Sequence, residues 1–322
     1  MSDGATTGAA RIVDGAMGHA PVLIVDDFLP LETAAAMRAD VDAHFGTPYA
    51  HRGQTHQVWN YWFVPGLYTY LRTLPQKVIR QDRMDAFFTA LTEWSIQNLG
   101  LGVVNWPNLS LYVPGCMQHW HNDSTNGRFA FVYSLTRNER ATTGGETLVM
   151  RDGDIVRGHL RMGAASANFM ASVAPAFNRL VLFDDRAAHA VTRIDGSMDT
   201  AEGRLVLHGH ISEAGPVVTG ALPEDAATPV LIRAVSAFTE TAGRDLAGWH
   251  GPVALKVAID GAGAAEVTDV LLDRVLHPDP SRADWEPLRE ALCERIESLR
   301  FPAAGGETSV ILPVMIGGPL KR

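Results

Sequence analysis

The sequence predicts a mainly β domain of sandwich or barrel type with flanking helices, followed by a small α+β domain. Three observations carry this expectation. Short β-rich runs broken by Gly and Asn recur between Ser110 and Ile211, two helical stretches precede them, and a Gly/Pro-rich interval separates them from a second set of helix and strand patterns. A chain of 322 residues suits two domains. Its 46% hydrophobic and 20% charged residues are a globular composition that can bury a core. A formal net charge of -9, with no dense Lys/Arg run, argues against nucleic acid as a partner. No basic stretch followed by an apolar one opens the chain, and no run approaches the roughly 20 apolar residues that span a bilayer, so neither export nor a membrane partner is expected. Cys116 and Cys293, far apart, point to a reducing cytoplasm rather than a disulfide framework.

In chain order, residues 1–18 are small and aperiodic and read as a flexible leader. The first domain is expected over 19–213. Val22–Val25 reads as a strand, and Asp26-Asp27-Phe28-Leu29-Pro30 leads into an Ala-rich helix through about Phe45. Between Gln57 and Tyr70 lie Trp59, Tyr61, Trp62, Phe63, Tyr68 and Tyr70, an aromatic density that favours core packing over pocket lining. A helix over about Arg83–Asn98 ends at Gly100. Strands follow at Ser110–Val113, Arg128–Ser134, Glu146–Arg151, Arg179–Phe183 and Arg204–Ile211. Residues 214–229, with Gly215, Pro216, Gly220, Pro223 and Pro229, have linker composition. In the second domain, 230–322, a helix is expected over Val230–Thr241. Strands at Val253–Ile259 and Glu266–Leu271 flank the turn Asp260-Gly261, and a helix at Trp285–Leu299 leads to a last strand at Ser309–Met315.

The chemistry-bearing residues cluster in the first domain. His121-Asn122-Asp123 sets an imidazole and a carboxylate two residues apart, which on a strand share a face. His189 follows the apolar run Leu180-Val181-Leu182-Phe183 after a short turn, which puts a second imidazole at a strand's mouth. Two His and one carboxylate on one side of an ion leave positions open for other ligands, the donor set of non-haem Fe(II) oxygenases. His119, two residues before His121, offers an alternative His-x-His pair.

Tyr112-Val113-Pro114-Gly115 followed by His121-Asn122-Asp123, then Gly144-Gly145-Glu146-Thr147, then Asn178-Arg179-Leu180-Val181-Leu182-Phe183 with Asp185-Arg186-Ala187-Ala188-His189, resembles the prolyl 4-hydroxylase-like group of Fe(II)/2-oxoglutarate dioxygenases. The resemblance covers roughly residues 20 to 212 and is strongest from 109 on. It implies a double-stranded β-helix, a cupin-like jelly roll. It implies Fe(II), 2-oxoglutarate and O2, with ascorbate as a further reductant, and iron held by the catalytic set His121, Asp123 and His189. A basic residue after the second histidine would grip the far carboxylate of 2-oxoglutarate. Arg204 is the matching position, with Arg193 as the fallback because the loop Asp195–Glu202 lengthens the spacing. Tyr112 either donates to the co-substrate or packs in the barrel, Thr192 or Tyr112 is the implied helper of the anchor, and Gln118 stands where relatives carry a tyrosine. Because Asp123 is kept where related halogenases have a small residue, the resemblance implies hydroxylation, with a peptidyl or free amino acid or another small metabolite as substrate. Tyr61, Trp62, Asn105, Trp106 and Arg128 are the candidate substrate contacts.

The stretch from Val253 to Gly263, with Leu288–Leu299, Arg300-Phe301-Pro302 and the final β run, resembles a TonB C-terminal-like domain. This implies a docking or homodimerisation module. Two other readings stay open: a catalytically silent β-helix that binds a metabolite or protein, and a cupin-type enzyme that uses His119, His121 and His189 without 2-oxoglutarate.

Overall fold

The computed structural model describes residues 10–13, 20–47, 58–123, 126–138, 140–150, 170–279, 282 and 285–317. The chain divides into two compact units. The first contains Ala20–Thr92 and Val104–Ile211 together with residues 10–13, and the second Glu93–Val103 and the chain from Ser212 on.

In the first unit, β1 (Ala10–Val13), β2 (Val22–Val25) and α1 (Leu31–Gly46) are followed by the hairpin of β3 (Asn60–Val64) and β4 (Tyr68–Thr73). Next come α2 (Gln81–Leu99), of which only the part up to Thr92 belongs to this unit, β5 (Val103–Val104), which the unit boundary divides, β6 (Asn108–Tyr112), β7 (Met117–His121), β8 (Phe129–Ser134), β9 (Thr142–Thr143) and β10 (Thr147–Met150). The series ends with β11 (Met170–Val173), β12 (Leu180–Asp184), β13 (His189–Val191), β14 (Asp195–Gly196) and β15 (Arg204–Ser212). A curled antiparallel sheet runs in the order β1-β2-β12-β8-β15-β6-β4-β7-β13-β10-β11, with β3 added to β4. It is a half-barrel of jelly-roll type, as the sequence predicts.

Period-two alternation decides what the sheet turns to each side. On β8, Phe129, Phe131 and Tyr133 are fully buried, and Phe87 of α2 packs on Tyr133 at 4.9 Å and on Phe131 at 6.2 Å. On β15, Leu205 and Leu207 belong to one face, while Arg204, Val206, His208 and His210 belong to the other. The face rich in large apolar side chains is covered by helix, and the polar face is turned to the inside of the curl.

Several expectations change here. The leader is not uniformly loose, because β1 pairs in register with β2, from Ala10 opposite Val25 to Val13 opposite Val22; the rest of residues 1–18 lies outside the described residues. The aromatic segment splits. Tyr70 is buried, but Tyr61 and Phe63 are 64% and 57% exposed, so core packing fails for β3, a strand paired on one side only. The expected linker 214–229 instead holds β16 (Val217–Gly220) and the start of α3 (Glu224–Ala242). Pro223 stands just before that helix, and Glu224 and Asp225 complement the dipole of its first turn, whereas Pro229 lies inside it and withholds one backbone donor.

The second unit continues with β17 (Gly251–Ile259), β18 (Ala265–Asp273), α4 (Trp285–Glu297) and β19 (Thr308–Ile316). Its antiparallel sheet has the order β16-β19-β17-β18. Leu231 and Phe238 of α3, Val253 and Leu255 of β17, and Leu292 and Ile296 of α4 form its core. No helix of the described residues is long and apolar enough to cross a membrane.

Asn178 ties β8 to the entry of α1. At φ 60°, its Oδ1 accepts from Leu29 N at 3.0 Å and from Tyr133 Oη at 2.7 Å, and its Nδ2 donates to Leu29 O at 2.8 Å. Asn178→Ala would leave these buried partners unmet and place Ala in a left-handed conformation. The expected loss is about 3 kcal/mol by urea unfolding, at roughly 1–3 kcal/mol for each unmet group. A loss below about 1 kcal/mol would show that this side chain does not brace the sheet.

Candidate metal centre

β7 and β13 are antiparallel neighbours, and their register sets His121 opposite His189. The two rings lie 4.2 Å apart by centroid. Each imidazole engages a backbone carbonyl through Nδ1: His121 at 2.7 Å from His119 O, and His189 at 3.1 Å from Ala187 O. A carbonyl can only accept, so Nδ1 carries a proton in both rings, and Nε2 is the nitrogen left to face a ligand in each.

Asp123 joins them by another route. β7 ends at His121, so the same-face spacing of a strand does not deliver this carboxylate. A turn does, with Asp123 N donating to Asp185 O at 2.9 Å and Asn126 N to Asp123 O at 2.8 Å. Asp123 Oδ2 lies 3.4 Å from His189 Nε2, and one donor atom from each of the three residues falls within 4.8 Å of the others. Burial and the neighbouring His189 hold His121 below the usual histidine range. Burial works to raise the pKa of Asp123, but the neighbouring His189 first, and then His121, bring it below the usual carboxylate range. Neutral imidazoles beside an ionised carboxylate are the protonation states that bind a divalent cation.

A second feature lies on β15. Arg204 is 2% exposed, with Nη2 donating to Thr147 Oγ1 at 3.1 Å and its guanidinium 4.6 Å above the Tyr112 ring. Nε and Nη1 are buried without a hydrogen-bond partner. Burial lowers the pKa of this group, yet a guanidinium stays charged. A buried cation with two orphaned donors is costly unless an anion meets it, and a carboxylate matches that fork. Gly145 abuts the stem of Arg204, and Gly144 lets the Arg193 carbonyl approach. Both have positive φ; a Cβ on Gly144 would fall 1.9 Å from Arg193 O, and one on Gly145 would fall 3.1 Å from Arg204 Cδ.

Residues 107–211 match the family model of the 2OG-Fe(II) oxygenase superfamily. The first unit carries a 2OG-Fe(II) oxygenase domain. It is a 2-oxoglutarate-dependent dioxygenase that takes Fe(II), 2-oxoglutarate and O2, and the converging His/Asp/His donors with the orphaned guanidinium fit that set. No curated protein matches the sequence. Among solved structures, a prolyl-4-hydroxylase from Pseudomonas putida is similar at 18% identity, covering 63% of this chain and 97% of its own, with a TM-score of 0.44. An oxidoreductase of the 2OG-Fe(II) oxygenase family from Burkholderia pseudomallei is similar at 15% identity, over 62% and 91%, with a TM-score of 0.40. The non-haem α-ketoglutarate-dependent epimerase SnoN of nogalamycin biosynthesis is similar at 14% identity, over 61% and 79%, with a TM-score of 0.42.

Other expected residues of the oxygenase domain meet different fates. His119 joins no converging donor group among the described residues, so the His-x-His pair is not assembled; its carbonyl instead orients His121. Arg193 is exposed, and only its backbone reaches the glycine pair. Thr192 does not approach Arg204. Its hydroxyl donates to the Glu146 carboxylate and accepts from Glu146 N at 3.1 Å, and Thr147 takes the place beside the guanidinium. Tyr112 is packed, stacked on Tyr70 with centroids 5.2 Å apart and 15° between planes. Gln118 pairs with Tyr68, whose ring lies 6.4 Å from that of His121, so β4 brings a tyrosine to the site.

Among the substrate candidates, Trp62 lies over Arg72 while Tyr61 is exposed. Trp106 donates to Gln76 at 3.1 Å. Asn105 Oδ1 accepts from His210 N at 2.8 Å, and Arg128 O accepts from Asp185 N at 3.0 Å. Sequence reasoning missed Thr147, His208 and His210. The alternation of β15 starting from Arg204 would have found the two histidines. His210 Nδ1 is 3.1 Å from the fully buried carboxylate of Asp185, and Asp123, Asp185 and His210 form a second converging group. Burial disfavours the charge on His210, but the Asp185 carboxylate outweighs it and raises its pKa.

Two outcomes test this geometry. Arg204→Met should hold or raise the melting temperature of the ligand-free protein, because it removes an uncompensated buried charge. It should also cancel the stabilisation that 2-oxoglutarate gives the wild type in the same thermal melt; destabilisation together with retained stabilisation by 2-oxoglutarate would move the anchor elsewhere. His189→Ala should abolish Fe(II) binding by titration calorimetry and leave the unfolding midpoint of the metal-free protein nearly unchanged. A collapsed midpoint would make His189 a structural residue.

Proposed function

We propose that this chain hydroxylates an unactivated carbon of a peptidyl or free amino acid or another small metabolite, converting 2-oxoglutarate to succinate and CO2. The observation that carries the reading is one curled sheet bringing together a His/Asp/His donor set and a buried guanidinium with two unmet donors, linked by the packing of Val191, Val206, Tyr70 and Tyr112. Bound Fe(II) supplies oxygen activation coupled to decarboxylation of the keto acid. The residues of the chain supply the rest. The Nε2 atoms of His121 and His189 and the carboxylate of Asp123 would hold the metal on one side. Arg204 and Thr147 would hold the far carboxylate of 2-oxoglutarate, with Tyr112 as the floor beneath the guanidinium. Val191, Val206 and Ile194 pack with Tyr70 and Tyr112, so this wall of the chamber is apolar and excludes water from the reacting groups. The carboxylate of Asp123 fills the position that chloride would need, which favours hydroxylation over halogenation.

We assign the second unit a docking or homodimerisation role. Its support is a four-stranded antiparallel sheet with β16 and β18 at the edges, strands able to pair with another chain. Cys116 and Cys293 are both free thiols, in keeping with a reducing compartment such as the cytoplasm.

Adding Fe(II) and 2-oxoglutarate without oxygen should produce a metal-to-ligand charge-transfer absorption, and admitting air should produce succinate. Incubation with cell extract under ¹⁸O₂ should then label the product. A folded protein that gives neither the absorption nor succinate would remove the oxygenase reading.

A further inference from the structure

Beyond the rung that pairs Arg204 with Tyr112, the inner face of the sheet carries a second cation. Alternation along β4 puts Tyr68, Tyr70 and Arg72 on one side, and the first two already approach His121 and Tyr112. Arg72 is opposite Ser110 on β6, two residues along from Tyr112. Ser110 is fully buried, and its hydroxyl is 2.8 Å from His208 Nε2. Trp62 covers the group from the hairpin, with its ring centroid 4.5 Å from the guanidinium carbon.

The charge of Arg72 is felt inside the chamber. Burial first, and then Arg72, bring the pKa of His208 down to about 3, and Arg72 also opposes protonation of His210. Arg72 shares a face with its register partner Ser110, whose hydroxyl meets His208, so the guanidinium lies on the same side of the sheet as this histidine. Among the described residues no carboxylate forms an ion pair with it. Asp185 is engaged by His210, and Asp123 lies against His189. A half-buried cation roofed by an indole, beside a buried hydroxyl and an imidazole held neutral, is matched by one planar monoanion. A phosphate dianion would leave a charge unmatched.

We propose that Arg72 binds a free carboxylate of the substrate, so that the enzyme acts on small carboxylic acids of the free amino acid class rather than on an internal residue of a peptide. The inference rests on the oxygenase reading and narrows it. Arg204 takes the co-substrate and Arg72 the substrate, each by charge-assisted hydrogen bonds.

The test uses the full chain with Fe(II), and the charge-transfer absorption with 2-oxoglutarate is recorded first. Its absence in the wild type would sink the oxygenase reading itself. With the absorption present, succinate formation is measured with the standard free amino acids, their C-terminal amides and end-blocked dipeptides. At least one free acid should stimulate turnover, with kcat/KM about 10–100-fold above that of its amide, the range expected from losing a hydrogen bond to a charged group. Arg72→Gln should retain the charge-transfer absorption, which shows an intact fold, and should bring the acid-to-amide ratio to within about twofold, while Arg72→Lys keeps part of the preference. The proposal is overturned if an amide or a blocked dipeptide matches the best acid, if the ratio survives in Arg72→Gln, or if no free acid stimulates a wild-type protein that shows the absorption.

Discussion

The register between β7 and β13 is the constraint on which the oxygenase domain depends. It sets His121 across from His189, and a shift of either strand by one residue would send its imidazole to the other face of the sheet. The pairing is irregular, since Val191 stands opposite Gln118 instead of continuing the ladder from His189 and His121. Such bulges re-aim side chains near functional sites. The backbone carbonyls of His119 and Ala187 then fix both tautomers, so the same two strands position the rings and choose the nitrogen that each presents. Asp123 arrives from outside the ladder. Its turn is tied to Asp185, which is itself anchored through Arg128 O and His210, and so the third donor depends on β15 as well as on β7.

Residue pattern made the fold class legible, because short strands separated by turn residues can bury their apolar face only against another part of the same sheet. The converging His/Asp/His group was legible for a similar reason, since an imidazole after an apolar strand and a His-x-Asp pair are local features, although a turn and not a shared strand face brings in Asp123. What stayed hidden was mostly non-local. Nothing within the aromatic segment says that Tyr61 and Phe63 lie on a strand paired on one side only, whereas Tyr70 faces Tyr112. Composition misread residues 214–229, because Pro223 marks a linker in one context and the residue before a helix in another, and Pro229 is accommodated inside that helix despite its missing donor. Thr192 was the expected helper, and Thr147, equivalent by residue type, was overlooked. The partner of Glu146 decided between them, and that partner is settled by the β10–β13 pairing, in which Thr147 stands opposite Val191.

The chamber also reverses the sign of the molecule. The chain carries a net charge of -9, but Arg204 and Arg72 point into the same curl one same-face step apart along β6, and His208 beside them is held neutral. Two like charges in a partly desolvated space repel each other, and each also loses hydration, so the ligand-free fold is less stable than an apolar interior of the same volume would make it. Arg204 keeps two donors unmet, and hydrophobic substitution would relieve that cost at the expense of anion recognition. Retaining both cations is intelligible if two anions enter together. A dicarboxylate then meets Arg204 and an acid meets Arg72, and the electrostatic cost in the empty chamber becomes selectivity in the filled one.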